Sequence, residues 1–168
     1  MKVLDVVEYD ISNYKNPSMF IIFPRCNLKC DKECGKNVCQ NSNLLKMEPV
    51  DVDIDNLVNK YMHNPLTHAI VFGGLEPFDS WADVLQFVFV ARYYTPDPIV
   101  IYTGYTGEEL KQQIGYLSVY ENIIIKFGRY IPDQEPHFDE VLGVELASPN
   151  QYAKEIGIDC EARTCYFH

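Results

Sequence analysis

Four cysteines lie within a stretch of fourteen residues, at Cys26, Cys30, Cys34 and Cys39. They directly follow a short apolar run, residues 19–24. Thiolates separated by three or four residues can converge on one soft metal centre. Chains that keep their thiols reduced rarely gather four of them on one loop unless a metal binds there. The row therefore predicts a metal site, with zinc and an iron–sulfur cluster as the two alternatives.

Length and charge limit the kind of protein. With 168 residues, the chain is expected to form a single domain over residues 1–168. A formal net charge of −10 repels phosphate backbones, which argues against a nucleic-acid partner. No apolar run approaches the ~18 residues that span a bilayer, and residues 1–9 lack the core of a signal peptide. We therefore expect no membrane partner, a cytoplasmic protein, and reduced thiols rather than disulfides.

Apolar runs and turn residues predict an alternation of strands and helices. Four short apolar runs have the character of buried strands, at residues 19–24, 69–72, 99–102 and 123–127. Helices are predicted from Asp53 or Asp55 to about Tyr61, from Ser80 to about Arg92, and from Gly107 to about Ile114. The second of these helices contains apolar residues at helical spacing, namely Trp81, Val84, Leu85, Val88 and Phe89. Apolar and polar residues alternate weakly over residues 2–9, which is typical of an edge strand. This order predicts an α/β fold with a mostly parallel sheet.

The unusual residues come directly after the predicted core strands. The cysteines follow the first strand, and the other three strands are followed by residues 73–77, 103–105 and 128–130. Because the carboxyl ends of parallel strands share one edge, these loops predict a single site.

Each loop offers a specific chemistry. Gly73 and Gly74 allow close approach of a ligand to the backbone, and the carboxylate of Glu76 can orient a ligand ammonium group. An ordinary strand-to-helix turn is the alternative for this segment. The hydroxyl of Thr103 can contact a cofactor or belong to a plain turn. Asn150 can bind a cofactor or cap a C-terminal turn.

The combination resembles a known family. A strand, then Cys26-x3-Cys30 with a further cysteine, then a strand ending in Gly-Gly-x-Glu-Pro resembles the radical S-adenosylmethionine enzymes. Within that family, the activating proteins of anaerobic ribonucleotide reductase are similar at residues 39–41, 102–106, 128–130 and 148–151. The resemblance implies a 4Fe–4S cluster on three cysteines, with S-adenosylmethionine at the open iron. One electron then cleaves the sulfonium, and the 5′-deoxyadenosyl radical takes a hydrogen atom from a glycine of the reductase large subunit.

The resemblance also implies a fold and further partners. A complete eight-unit barrel needs ~250 residues. The expected architecture is therefore a partial (βα) barrel or an open, curved, mostly parallel sheet of the radical S-adenosylmethionine type. An electron donor of the flavodoxin or ferredoxin type is implied as a second protein partner, because the cluster must be reduced.

The sequence departs from the usual Cys-x3-Cys-x2-Cys pattern at the third cysteine. Cys39 precedes Gln40 and Asn41, which resembles the Cys-x-Asn of the reductase activators. The predicted ligands are therefore Cys26, Cys30 and Cys39, with Cys34 as the competitor. The loop from Cys30 to Cys39 is expected to fold back with Gly35 supplying a turn. An additional residue, Leu75, also precedes Glu76.

Two other functions stay open. The first keeps the radical chemistry and changes the substrate to a small molecule or peptide. The second is a non-catalytic α/β interaction module stabilised by zinc, since four cysteines at these spacings also suit a structural zinc site. Arg129 can bind the carboxylate of a ligand or pair with an acidic side chain at the protein surface. Cys160 and Cys165 match no site.

Overall fold

The computed structural model describes residues 1–157, so Cys160 and Cys165 lie outside the described part. The strands are β1 (Lys2–Val3), β2 (Asp5–Asp10), β3 (Ser18–Phe23), β4 (Val50–Asp51), β5 (Ile70–Gly74), β6 (Ile99–Tyr102), β7 (Ile123–Phe127), β8 (His137–Asp139), β9 (Val144–Leu146) and β10 (Tyr152–Ile156). The α-helices are α1 (Lys29–Cys34), α2 (Ile54–Met62), α3 (Trp81–Tyr94) and α4 (Lys111–Leu117). Short 3-10 helices cover Ser42–Lys46 and Pro77–Ser80.

One six-stranded sheet organises the chain, in the order β10-β7-β6-β5-β3-β2. The four central strands β3, β5, β6 and β7 run parallel, as the four apolar runs predicted. The outer strands β2 and β10 pair antiparallel with their neighbours, and the predicted edge strand near the N-terminus is β2. The described chain therefore forms an open mixed sheet in which the carboxyl ends of the central strands share one edge.

The connecting helices cover one face of this sheet. Consecutive parallel strands lie side by side in chain order, and crossovers of one hand then place α2, α3 and α4 on the same face. Alternate strand residues pack against these helices, including Ile70, Phe72, Ile99, Ile101, Ile123 and Ile125. The intervening residues face the other side, where Leu142 and Leu146 cover Val71, Val100 and Ile124. Both faces of the central strands are thus buried, which explains their continuous apolar runs.

The predicted helix from Ser80 to about Arg92 is confirmed as α3, and the third helix prediction needs correction. Helix α3 buries Phe87 and Ala91 along with Val84 and Val88, whereas Phe89 is 66% exposed. Apolar residues occur on every side of α3, so their spacing does not identify its buried face. The predicted helix at 107–114 begins later, as α4, because residues 107–110 form a turn instead of its first residues. Thr106 and Glu109 exchange hydrogen bonds of 2.9 and 3.3 Å across this turn.

Within residues 1–157, none of the helices combines the length and the apolar character needed to cross a bilayer.

Candidate metal centre and ligand cavity

A cavity of about 440 Å³ opens at the carboxyl edge of the parallel strands. Its walls come from all four loops that the sequence placed together, and they include Cys26, Cys30, Cys39, Gly73, Gly74, Glu76, Thr103, Gly104, Gly128 and Tyr130. The volume lies in the range of small-molecule sites. The structure thus brings the four predicted loops together around one cavity.

The four cysteines do not occupy equivalent places. Cys26, Cys30 and Cys39 line the main cavity, whereas Cys34 lines a neighbouring cavity of about 380 Å³ together with Cys30 and Arg129. All four are free thiols. Burial raises the pKa of Cys26 to about 11 and also raises the pKa of Cys30. In the metal-free protein these two thiols are therefore protonated at neutral pH, and metal binding must release their protons.

The cysteine loop folds back through a short helix. Leu28 adopts a left-handed conformation (φ 55°) just before α1, and Gly35 (φ 65°) ends the helix, as predicted for this turn. The carboxylate of Asp31 then accepts hydrogen bonds of 2.8 Å from the backbone N–H groups of both Val38 and Cys39. Asp31 thereby fixes the returning chain and brings Cys39 to the wall of the main cavity.

A second carboxylate fixes the start of the loop. Asp79 accepts a 2.8 Å hydrogen bond from the backbone N–H of Asn27 and a 2.6 Å bond from the hydroxyl of Tyr105. The side-chain amide of Asn27 in turn donates to the Tyr105 hydroxyl at 2.5 Å. Asp79 lies in the 3-10 helix that follows β5 and Tyr105 lies in the loop that follows β6, so this network holds the residue after Cys26 to the edge of the sheet.

The paired glycines pack closely against the neighbouring strand β3. A Cβ atom on Gly73 would lie 2.8 Å from the ring of Phe20, and one on Gly74 (φ 83°) would collide with the side chain of Ile22. The carbonyl of Gly74 accepts a 2.6 Å hydrogen bond from the amide of Asn41. This bond joins the segment after Cys39 to the glycine turn.

Glu76 is buried and connects three loops. Its Oε1 atom accepts hydrogen bonds from the Thr103 hydroxyl (2.8 Å) and the backbone N–H of Phe78 (3.1 Å), and Oε2 accepts from the N–H of Gly104 (2.9 Å). Its own N–H donates to the carbonyl of Arg25 at 2.6 Å. Burial raises the pKa of this carboxyl to about 7, although the three hydrogen bonds oppose the shift. The Thr103 hydroxyl also accepts a bond of 3.0 Å from Tyr105, so its main contacts are within the protein.

Lys126 is a site residue that sequence reasoning missed. It is only 7% exposed, yet its ammonium group makes one hydrogen bond, of 3.0 Å to the carbonyl of Gly128. Burial lowers its pKa to about 8, while Glu76 and Cys30 act in the opposite direction. Among the residues that line the main cavity in the described chain, it is the one cation. A lysine within the apolar strand Ile123–Phe127 was the available signal.

The predicted Asn150 lies beside the main cavity rather than on it. Its amide donates a 2.8 Å hydrogen bond to the carbonyl of Arg129, and it lines the neighbouring cavity. The next residue, Gln151, is buried and lines the main cavity. The guanidinium of Arg129 pairs with Glu109 at 2.6 Å and with Glu33 at 3.0 Å, so its charge is balanced by acids of this chain.

Three thiols on the wall of a cavity fit a multi-iron cluster. Within residues 1–157, no group of three or more His, Cys, Asp or Glu side chains is arranged to hold a single metal ion. In a 4Fe–4S cluster each thiolate bonds a different iron, so the ligands surround a volume instead of meeting at one point. Cys26, Cys30 and Cys39 all line the main cavity, so thiols are present on its wall for a cluster of this kind.

Comparison with protein families agrees with this chemistry. Residues 18–143 match the family described as the 4Fe-4S single cluster domain. This match covers most of the chain and all four loops, so the chain belongs to that family and is an iron–sulfur protein. No curated protein and no solved structure matches the chain.

Proposed function

We propose that this protein is a radical S-adenosylmethionine enzyme that generates a glycyl radical on the large subunit of anaerobic ribonucleoside-triphosphate reductase. The observation that carries the proposal is that Cys26, Cys30 and Cys39 line one cavity with the Gly73–Gly74–Glu76 turn. Domains of its family occur in iron–sulfur proteins of the radical S-adenosylmethionine type. The open α/β sheet suits the expected fold of that type.

In this proposal the three cysteines that line the cavity would hold the cluster. When bound, the cluster would supply one electron, taken from a flavodoxin or ferredoxin, for cleavage of the sulfonium to methionine and the 5′-deoxyadenosyl radical. Cys34, which faces the neighbouring cavity, stays unbonded.

The walls of the cavity offer opposite charges for a zwitterionic ligand. Glu76 presents a carboxylate and Lys126 an ammonium group, and both are buried. An α-amino acid group carries the complementary pair of charges, so its ammonium would lie toward Glu76 and its carboxylate toward Lys126. The hydroxyl of Thr103 keeps the carboxylate of Glu76 in place. Gly73 and Gly74 line the same cavity.

A protein substrate is favoured over a small one by the open sheet. In the described chain, β2 and β10 form separate edges and do not pair with each other. A large partner would cover the exposed side of the site and exclude water from the radical. An enzyme for a small substrate needs to supply that cover itself.

The test is an anaerobic reaction of the reconstituted protein with S-adenosylmethionine and reductant. We expect 5′-deoxyadenosine, and a glycyl radical by electron paramagnetic resonance when the reductase large subunit is added. The Cys30→Ser variant, which loses a predicted ligand, is the negative control. Deoxyadenosine without a protein radical would favour a small substrate, and an intact cluster that cleaves nothing would contradict the radical chemistry.

A further inference from the structure

The cysteine segment has the opposite charge to the rest of the protein. Residues 25–46 contain five of the fourteen Lys and Arg residues, but only two of the 24 acids. The segment therefore carries a formal charge of +3, whereas the remaining chain carries −13. A basic region within an acidic protein creates a local positive field that attracts acidic partners.

Internal contacts leave the positive charge of this segment in excess. Asp31 is occupied by the N–H groups of the returning loop, and Glu33 pairs with Arg129. Lys29 is balanced by Glu109 at 2.9 Å. Four basic side chains are exposed and belong to none of the ion pairs within residues 1–157, namely Arg25, Lys32, Lys36 and Lys46.

These four residues, here called the basic loop surface, flank the cluster ligands in the chain. Arg25 precedes Cys26, and Lys32 and Lys36 lie between Cys30 and Cys39. The exposed Leu45 and Met47 stand on either side of Lys46 and add apolar area of the kind found in protein interfaces. A protein bound here would be close to the cluster, which electron transfer requires.

We propose that the basic loop surface docks an acidic protein that delivers single electrons to the cluster. The inference rests on the proposed function, because that function consumes one external electron in each cleavage. The donor is oxidised by one electron and the cluster is reduced by one, with no bond made or broken. A long nucleic acid is disfavoured as the occupant, because the −13 of the surrounding chain would repel its phosphates.

The test compares two double charge reversals in the reconstituted protein. Lys32→Glu with Lys36→Glu removes positive charge from the basic loop surface. Lys111→Glu with Lys154→Glu is the matched control, since both lysines are exposed, belong to none of the ion pairs within residues 1–157, and lie on α4 and β10. A reduced flavodoxin and a reduced ferredoxin, each of net negative charge, are mixed with each protein. Binding is measured by titration, and cluster reduction by stopped-flow absorbance without S-adenosylmethionine.

We expect the first pair to weaken donor binding and slow cluster reduction by ~10-fold or more at low ionic strength, with a weaker dependence on salt. The control pair should stay within about twofold of the parent protein. Iron content and the extent of reduction by dithionite should be the same in all three, which shows that the cluster is intact.

Several results would overturn the proposal. One is an equal loss of donor binding and of the reduction rate in both double variants, which would indicate a general charge effect. Another is an unchanged rate of cluster reduction in the variant with Lys32→Glu and Lys36→Glu. A third is a parent protein that neither donor reduces. Oligonucleotide binding that only the first pair loses, with donor reduction unaffected, would assign the surface to nucleic acid. Because no S-adenosylmethionine is present, these outcomes are separate from failure of the cleavage reaction.

Discussion

The carboxylate of Asp31 accepts a 2.8 Å hydrogen bond from the backbone N–H of Cys39, eight positions further along the chain. The same oxygen accepts a second 2.8 Å bond from Val38. Helix α1 and the returning segment are thus joined at one atom. This contact explains how a loop with an unusual ligand spacing still brings a third thiol to the cavity.

Asp31→Ala is expected to lower the iron and sulfide content after reconstitution. Two hydrogen bonds to a charged acceptor, each worth ~1.5–3 kcal/mol, would be lost, and the segment with Cys39 would no longer be held. Asp31→Asn is the matched control, because its side-chain oxygen can still accept both bonds. Iron and sulfide analysis per chain is the measurement. Equal cluster content in the alanine variant and the parent would show that the loop is held by other contacts.

The third cluster ligand is predicted to be Cys39. Cys39→Ser should lose the cluster, because Cys39 lines the main cavity, whereas Cys34→Ser should retain iron and cleave S-adenosylmethionine. Iron content and the absorbance of the two purified variants are compared with the parent. The reverse pattern would assign the ligand to Cys34. Loss of metal in both variants, with zinc in the parent, would support the four-thiolate structural site.

Glu76 is expected to make the metal-free protein less stable as the pH rises. Burial raises the pKa of this carboxyl to about 7 from its usual value of 4.5, so the native state keeps a proton that the unfolded chain has released. Stability from the protonated carboxyl is complete below about pH 4.5 and is lost by about pH 7. The shift corresponds to about 3 kcal/mol of unfolding free energy across this window.

Urea unfolding of the metal-free protein between pH 4.5 and pH 7.5 measures this contribution. Glu76→Gln should remove that part of the pH dependence, whatever its effect on the absolute stability. The exposed acid Glu108 provides the control, and in Glu108→Gln the free energy of unfolding should fall with pH as steeply as in the parent. A parent and a Glu76→Gln variant with the same slope would contradict the prediction.

The sheet and the meeting of the four loops were predictable because they depend on local patterns. Apolar runs such as Ile123–Phe127 can only be buried on both faces, and parallel strands then bring their carboxyl ends together. The contacts that position the site depend on atoms distant in sequence. Asp79 and Tyr105 are 26 positions apart, and no periodicity connects them.

The prediction of Asn150, where Gln151 lines the main cavity, missed by one position because that outcome depends on local backbone geometry. Asn150 and Gln151 are adjacent polar residues just before β10. Asn150 lies in a turn that is closed by a 3.0 Å hydrogen bond from the N–H of Gln151 to the carbonyl of Ser148, and the geometry of this turn decides which of the two reaches the main cavity. In the same way, the left-handed backbone at Leu28 sets the direction of the cysteine loop, and a leucine gives no sign of that conformation.

Lys126 is expected to reduce the stability of the ligand-free protein while it strengthens ligand binding. Burial lowers its pKa to about 8 from its usual value of 10.5, so the charged form is disfavoured in the native state. The resulting cost, about 3 kcal/mol, is present in full below pH 8 and disappears as the pH rises toward 10.5, because the native state loses its proton first. At pH 7, Lys126→Met should therefore unfold at a higher urea concentration than the parent.

The same variant should bind S-adenosylmethionine about 10- to 100-fold more weakly, since a charge-assisted hydrogen bond to the ligand carboxylate would be lost. The carbonyl of Gly128 keeps a hydrogen bond from Gln151 at 3.3 Å, so the variant leaves no unpaired group there. Lys154→Met, at an exposed position on β10, should change neither quantity. Urea unfolding and ligand titration of the reconstituted protein are the two measurements. If stability and affinity fell together in Lys126→Met, the lysine would have a structural role and the proposed carboxylate contact would be wrong.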